Sequence, residues 1–225
     1  MDRNMVVRPF SYPIKFFEMI YNDMLFLRNN WRIKNGTVSW PSKSLFDVIW
    51  VHPDKIIGGF SKNYRLPTKY RGRRVPGDWD QKWQPIEAFT RYMVFDLRYR
   101  NGVEWKDIFR NYARPHGFLS EDNINKFKQQ ANRCDELFMS MKEHGWRMDA
   151  KFGKTFTYPD SLSVNVTRDG KLIRNHSGLN RLIIARILGF EKVPCYLHAV
   201  HDDFRGVIDD ASYSTSRSTQ KAIGV

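Results

Sequence analysis

The stretch Asn175-His176-Ser177-Gly178-Leu179-Asn180-Arg181 carries the densest set of groups able to do chemistry. A polar, glycine-containing loop that opens a helix leaves first-turn N–H groups unpaired and pointing outward, which suits an anion of phosphate size. Arg181 falls in that first turn, where its fork can hold a phosphate or a carboxylate. An arginine there opposes the helix dipole, a modest cost unless an anion or acid compensates it. Ser177, Gly178, Asn180 and Arg181 are therefore candidate phosphate- or nucleotide-binding residues. His176 is a candidate for proton transfer or phosphate contact; a lone loop histidine is as readily just exposed.

Two further constellations precede it. Lys62, Arg65, Lys69, Arg71, Arg73 and Arg74 fall within thirteen residues with no acid among them, interleaved with Tyr64 and Tyr70. Such a run suits a phosphodiester backbone, because the cations displace counterions and tyrosines stack on bases. Lys69, Arg71, Arg73, Arg74, Tyr64 and Tyr70 are the candidate nucleic-acid contacts; a solvated basic loop is the plain alternative. Next comes Pro76-Gly77-Asp78-Trp79-Asp80, and its two carboxylates Asp78 and Asp80, together with Glu87, are candidates for a catalytic base or for ligation of Mg²⁺ in phosphoryl transfer. Such a pair also serves to cap a turn or to neutralise neighbouring arginines. His198 and His201 lack a third ligand nearby, so zinc is not expected.

The elements that must position these groups are legible in outline. Pro13 opens a helix through about Arg28, expected to pack on the main domain. Phe46 to Val51 reads as a buried strand. Pro85 is expected to start a helix through about Arg100 with Ile86, Phe89, Met93 and Leu97 on one face, and a short helix begins near Glu104. Ser120 caps a long helix with a core face of Phe127, Ala131, Cys134, Leu137 or Phe138, and Met141, stopping at Gly145. Phe152 to Tyr158 is an aromatic segment placed over the site. Leu162, Val164 and Val166 alternate as a strand, Arg168-Asp169-Gly170 turns it, and a second strand leads into the candidate loop. The helix that follows ends at Gly189, and a last strand carries Cys195, Leu197 and Ala199.

Composition sets the frame. The chain has 225 residues, 41% hydrophobic and 15% aromatic, so it folds with an ample core. Lys and Arg total 37 against 24 Asp and Glu, a net charge of +13 that favours a polyanionic partner, whether nucleic acid, nucleotide or anionic surface. Cys134 and Cys195 have no metal or redox spacing and read as buried hydrophobes in a reducing compartment. The apolar segment from Ile14 to Leu27 is broken by Lys15, Glu18 and Asp23 and is too short to span a bilayer. The expectation is a cytoplasmic protein with no membrane partner.

Four of these pieces, taken in order, resemble the ParB/sulfiredoxin superfamily. Trp50-Val51-His52-Pro53-Asp54-Lys55-Ile56 looks like its opening element. Asp135 to Trp146 is similar to its helix ending at a glycine, and Leu162 to Arg174 to its central hairpin. Ser177-Gly178-Leu179-Asn180-Arg181-Leu182, with Ala185, Leu188-Gly189 and Val193-Pro194, resembles its Gly-x-His-Arg helix and following strand. Gly77-Asp78-Trp79-Asp80, Gly102-Val103-Glu104-Trp105 and Val200-His201 further resemble elements of a group within it that has no firmly established activity.

The resemblance implies an α/β (α+β) fold with a small mixed sheet. It places the core at 45–60 and 120–205, a helical segment at 1–44, a basic loop and helical insertion at 61–119, and a flexible tail at 206–225. It also implies phosphates at the Gly-x-x-Arg helix start and a nucleotide cofactor, ATP or another NTP, with Mg²⁺. The expected activity is nucleotide-dependent phosphotransfer or nucleotide hydrolysis; the alternative is a DNA-backbone-binding or nuclease-like protein without nucleotide chemistry. Two departures bear on this. Leu179 stands where sulfiredoxins need cysteine, which argues against sulfinic-acid chemistry. Asn180 replaces the usual histidine and donates hydrogen bonds without exchanging a proton near neutral pH. A filled, inactive pocket is the third possibility.

Overall fold

The computed structural model describes residues 48–60, 64–112, 121–147, 162–175 and 177–206, together with positions 21, 24, 25, 27–29, 31, 32 and 35. Within them seven strands form one mixed sheet: β1 (Val48–Val51), β2 (Ile56–Phe60), β3 (Arg73–Val75), β4 (Trp83–Pro85), β5 (Leu162–Val166), β6 (Leu172–Arg174) and β7 (Val193–His201). The helices are α1 (Thr90–Phe95), which continues as a π turn through Arg100, α2 (Trp105–Tyr112), α3 (Glu121–His144) and α4 (Leu179–Ile187). The mixed α and β content agrees with the fold class expected from sequence.

The sheet runs β1-β7-β5-β6-β2-β4. β3 lies beside β7 on the same side as β1, pairing Ala199 to His201 while β1 pairs Val193 to Tyr196. β5 and β6 form the expected antiparallel hairpin around the Arg168-Asp169-Gly170 turn. β6 then runs parallel to β2, so both strands deliver their carboxyl ends to one end of the sheet. Those ends lead into the basic segment and the candidate anion loop.

Both faces of the sheet are covered. On one, Leu182, Ile183, Ile184 and Ala185 of α4 pack with Val164, Leu197 and Ile49, and α1 and α3 add Phe95, Cys134 and Met141. The α3 residues are those its periodicity picks out. On the other, Leu66, Val75 and Trp79 form a second core with Phe60, Ile173 and Ala199. Segment 61–119 thus supplies two strands and most of the cover of the second face. Gly58 makes room for this: a Cβ there would stand 2.2 Å from the Trp83 ring.

One expected helix differs. Pro85 and Phe89 have extended backbones, with ψ of 151° and 128°, so the helix starts only at Thr90 after a single 3₁₀ turn. Pairing of Pro85 with Gly58 at the sheet edge outweighs the preference of proline for a first helical turn. The later start leaves Met93 exposed and turns Phe95 and Tyr99 inward. The segment Phe152 to Tyr158, the break at Arg114-Pro115 and the tail beyond residue 206 lie outside the described residues. Of the N-terminal helical segment, Asn29 is described: its Nδ2 donates to the Arg71 carbonyl at 2.9 Å, tying that segment to the basic run.

Candidate functional site

The candidate loop is built from the end of β6. Arg174, the last residue of that strand, is only 4% exposed. Its Nη2 donates to the Phe60 carbonyl at 3.3 Å, and its guanidinium lies 5.4 Å from the centre of the Phe89 ring. Burial, with the charge of Arg91 adding to it, pushes its pKa down to about 10. Asn175 follows and is anchored in the interior. Ser177 Oγ lies 3.3 Å from Ser163 Oγ of β5.

Gly178 then caps α4 in the left-handed region at φ +79°, with no side-chain cap hydrogen bond. Both its φ and its space demand glycine, because a Cβ would come within 3.0 Å of the Leu162 Cα. Two arginines from different directions meet the first turn of α4. Arg91 of α1 donates to Asn180 Oδ1 at 2.8 Å, and Arg181 lies over the Trp146 ring at 5.9 Å. Arg91 therefore meets Asn180 at the helix start, while Arg181 of the same turn reaches Trp146 and Arg174 packs between Phe60 and Phe89. Sequence reasoning missed Arg91, which sits in a segment whose pattern gave no sign of proximity to the loop, and Arg174, which directly precedes the loop as the last residue of β6. His176 lies outside the described residues.

The two aspartates occupy a different place. Arg168, in the β5–β6 turn, donates from its backbone N and Nε to Asp80 Oδ2 at 3.0 and 2.9 Å, and from Nη2 to Asp80 Oδ1 at 2.8 Å and Asp78 Oδ1 at 2.7 Å. Burial pushes the Asp80 pKa up, but these bonds and the charge of Arg168 hold it below the ordinary value. His201 is 1% exposed. Its Nδ1 accepts from the Asp203 N–H at 3.1 Å, which leaves the proton on Nε2, 2.8 Å from the Gly77 carbonyl. Asp78 and Asp80 thus fasten the Gly77–Gln81 turn to the sheet. The Arg168 guanidinium takes both oxygens of Asp80 and one oxygen of Asp78. Glu87 pairs with Arg186, which also donates to the Pro53 and Ile56 carbonyls. Among the described residues no three His, Cys, Asp or Glu side chains gather as a metal site.

The basic segment divides. Lys69, Arg73 and Tyr64 are exposed. Arg74 is half-buried, its Nη1 donating to the carbonyls of His201, Asp202 and Phe204 at 3.3, 3.4 and 2.6 Å. Arg71 is half-buried, and Tyr70 packs on the second core beneath Lys69. No helix among the described residues is long and apolar enough to cross a membrane. Comparison with family models, with curated proteins and with solved structures gives no match to this chain.

Proposed function

We propose that the chain binds a phosphorylated ligand, a nucleotide in the first instance, at the start of α4. The observation that carries this reading is a helix start whose cap is a glycine with no side-chain acceptor, met in its first turn by Arg91 and carrying Arg181 in that same turn. First-turn N–H groups add partial positive charge there, which favours an anion. Placement supports the reading too, since ligands of open sheets gather at the carboxyl ends of parallel strands and β2 and β6 both end here. The order of strand pair, long helix, hairpin, loop, helix and closing strand is the order that the resemblance to the ParB/sulfiredoxin superfamily implies.

Binding rather than turnover is what the geometry supports. Asn180, in the place of a proton-exchanging histidine, is engaged by Arg91, and both acidic candidates are occupied by Arg168. Calorimetric titration of ATP, ADP and CTP into the full chain tests the reading. Wild type binds at least one of them, and Arg91→Ala and Arg181→Ala each weaken it about tenfold or more, as expected for loss of a charge-assisted hydrogen bond. Full affinity in both variants, or no binding of any of the three, sinks it.

A nucleic-acid contact remains the second reading, carried by Lys69 and Arg73, which are exposed in the basic run. It expects DNA affinity that falls steeply with salt and weakens on replacing those two residues. Salt-insensitive binding excludes it.

A further inference from the structure

The cover of the second sheet face carries a basic and aromatic surface away from the candidate loop. Between Tyr64 and Lys82 the sequence holds six cations, Arg65, Lys69, Arg71, Arg73, Arg74 and Lys82, against two acids, Asp78 and Asp80. Both acids are paired with Arg168. Arg71 and Arg74 are half-buried, and Arg74 is engaged by carbonyls at the end of β7 and beyond it. Arg65, Lys69, Arg73 and Lys82 stay exposed, and among the described residues no carboxylate pairs with any of these four. Tyr64 stands among them, 55% exposed, with Lys82 Nζ 6.0 Å from its ring centre. We propose that this surface binds single-stranded nucleic acid, with an unpaired base stacked on Tyr64 and phosphates held by the four exposed cations. The proposal rests on the nucleic-acid reading of the basic run, and adds the form of the polymer and the residue that selects it.

Tyr64 is placed to act as a platform. Two residues on, Leu66 is 7% exposed, with its N–H and carbonyl both held by Asn175, and Pro67 then restricts the chain. A ring on so short a tether loses little freedom when a base stacks on it. Tyr70, by contrast, packs on the second core with Lys69 Nζ 5.1 Å from its ring centre. Lys82 is anchored through its backbone N–H to the Trp79 carbonyl at 3.2 Å, so its ammonium group is kept near the Tyr64 ring, within reach of a phosphate next to the stacked base. In a duplex the bases already stack on one another, whereas an unpaired base of any sequence offers a π face to a side chain. Reading a duplex major groove takes a helix or a two-stranded ribbon. The regular elements of the basic cover are 3₁₀ turns of three and four residues and the three-residue β3, too short for that role.

Fluorescence anisotropy on the full chain tests this, using labelled oligothymidylate and oligouridylate of about fifteen nucleotides, long enough for one such site, and a duplex of equal length. At least one single strand is expected to bind more tightly than the duplex, and comparing the two distinguishes DNA from RNA. The slope of log affinity against log salt is about −3, at roughly −0.7 for each of four phosphates. Tyr64→Ala weakens single-strand binding about tenfold and leaves duplex binding unchanged, while Tyr64→Phe keeps the wild-type affinity. Replacing Lys69 and Arg73 together by alanine weakens both forms and brings the single-strand slope to about −1.5. All these positions are exposed, so the variants fold as wild type does. A duplex bound as tightly as the single strands, or Tyr64→Ala binding them like wild type, overturns the proposal while backbone contact by the basic run stands. Absence of binding to every form overturns both.

Discussion

The side-chain amide of Asn175 pairs with both backbone groups of Leu66: Oδ1 accepts the Leu66 N–H at 3.2 Å and Nδ2 donates to the Leu66 carbonyl at 3.4 Å. The same Oδ1 accepts from Asn165 Nδ2 at 3.2 Å. One asparagine therefore stitches the basic segment to the strand end that feeds the candidate loop. Asn175→Ala strands two backbone groups and one amide in a site that is 5% exposed. The expected cost is about 3 kcal/mol, at the upper end for lost buried hydrogen bonds. Denaturant melts give the loss of stability, and hydrogen exchange of the 66–75 amides reports the loosened cover; wild-type protection there would contradict the stitch.

His198 sits in the same covered layer, 4% exposed, with Nε2 3.3 Å from the Pro67 carbonyl. Burial, aided by the charge of Arg71, pushes its pKa down to about 3. The unfolded chain binds the proton near pH 6.5 and the folded chain does not. The stability held by the neutral ring is therefore fully present above about pH 6.5 and is lost as pH falls from there toward the folded value. His198→Gln should flatten the acid limb between pH 6.5 and 4.5 by about 1.4 kcal/mol per pH unit. Chemical denaturation across that range measures it, and an unchanged slope would show that another group sets the limb.

The expectations that held were those where periodicity and burial coincide. Ala131, Cys134 and Met141 repeat at helical spacing and all face the core. The alternation of Leu162, Val164 and Val166 and the Arg168-Asp169-Gly170 turn fix the hairpin locally. What escaped was the second face of the sheet. Ser163 and Asn165 read as the outward half of an alternating strand, yet they are 8% and 0% exposed because a long-range segment covers them. That segment contains β3, an arginine-rich strand of three residues that no local pattern marks, since parallel pairing to β7 is what makes it a strand. The helix start at Gly178 was legible in the loop motif. Arg91 reaches that turn only through tertiary packing.

Asp80 gives a second pH dependence, opposite in origin and lower in range. Its side chain is 3% exposed, while Arg168 beside it is 37% exposed and can rehydrate if released. Because the folded carboxyl has its pKa held below the ordinary value, the associated stability is present above about pH 4 and lost as pH falls through the folded value. Asp80→Asn should cost about 2 kcal/mol at pH 7, below the range for a fully buried pair because Arg168 regains water. It should also remove the part of the acid transition that lies below pH 4. Melts at pH 2.5 and pH 7 separate the two effects, and a variant as stable as wild type at pH 7 would rule out the ion pair as a fastening.

Gly145 and Gly178 offer a controlled comparison at the two ends of the α3–α4 junction. Both have positive φ, +71° and +79°, so either carries a left-handed penalty of about 1 kcal/mol when replaced by alanine. They differ in space. A Cβ on Gly145 meets nothing within 4 Å, whereas one on Gly178 meets the Leu162 Cα and Cδ1 at 3.0 Å, where backbone must yield. Gly145→Ala should therefore cost only the conformational term, and Gly145→Asn less, because asparagine tolerates that region. Gly178→Ala should cost about 2 to 3 kcal/mol by adding displacement of α4 from β5, and asparagine should not rescue it. On the proposed reading, in which the first turn of α4 holds the phosphate, the same displacement should weaken nucleotide binding in Gly178→Ala and leave it intact in Gly145→Ala. Thermal melts and calorimetry on the four variants check both halves; equal stability losses at the two glycines would mean that β5 does not press on the helix cap.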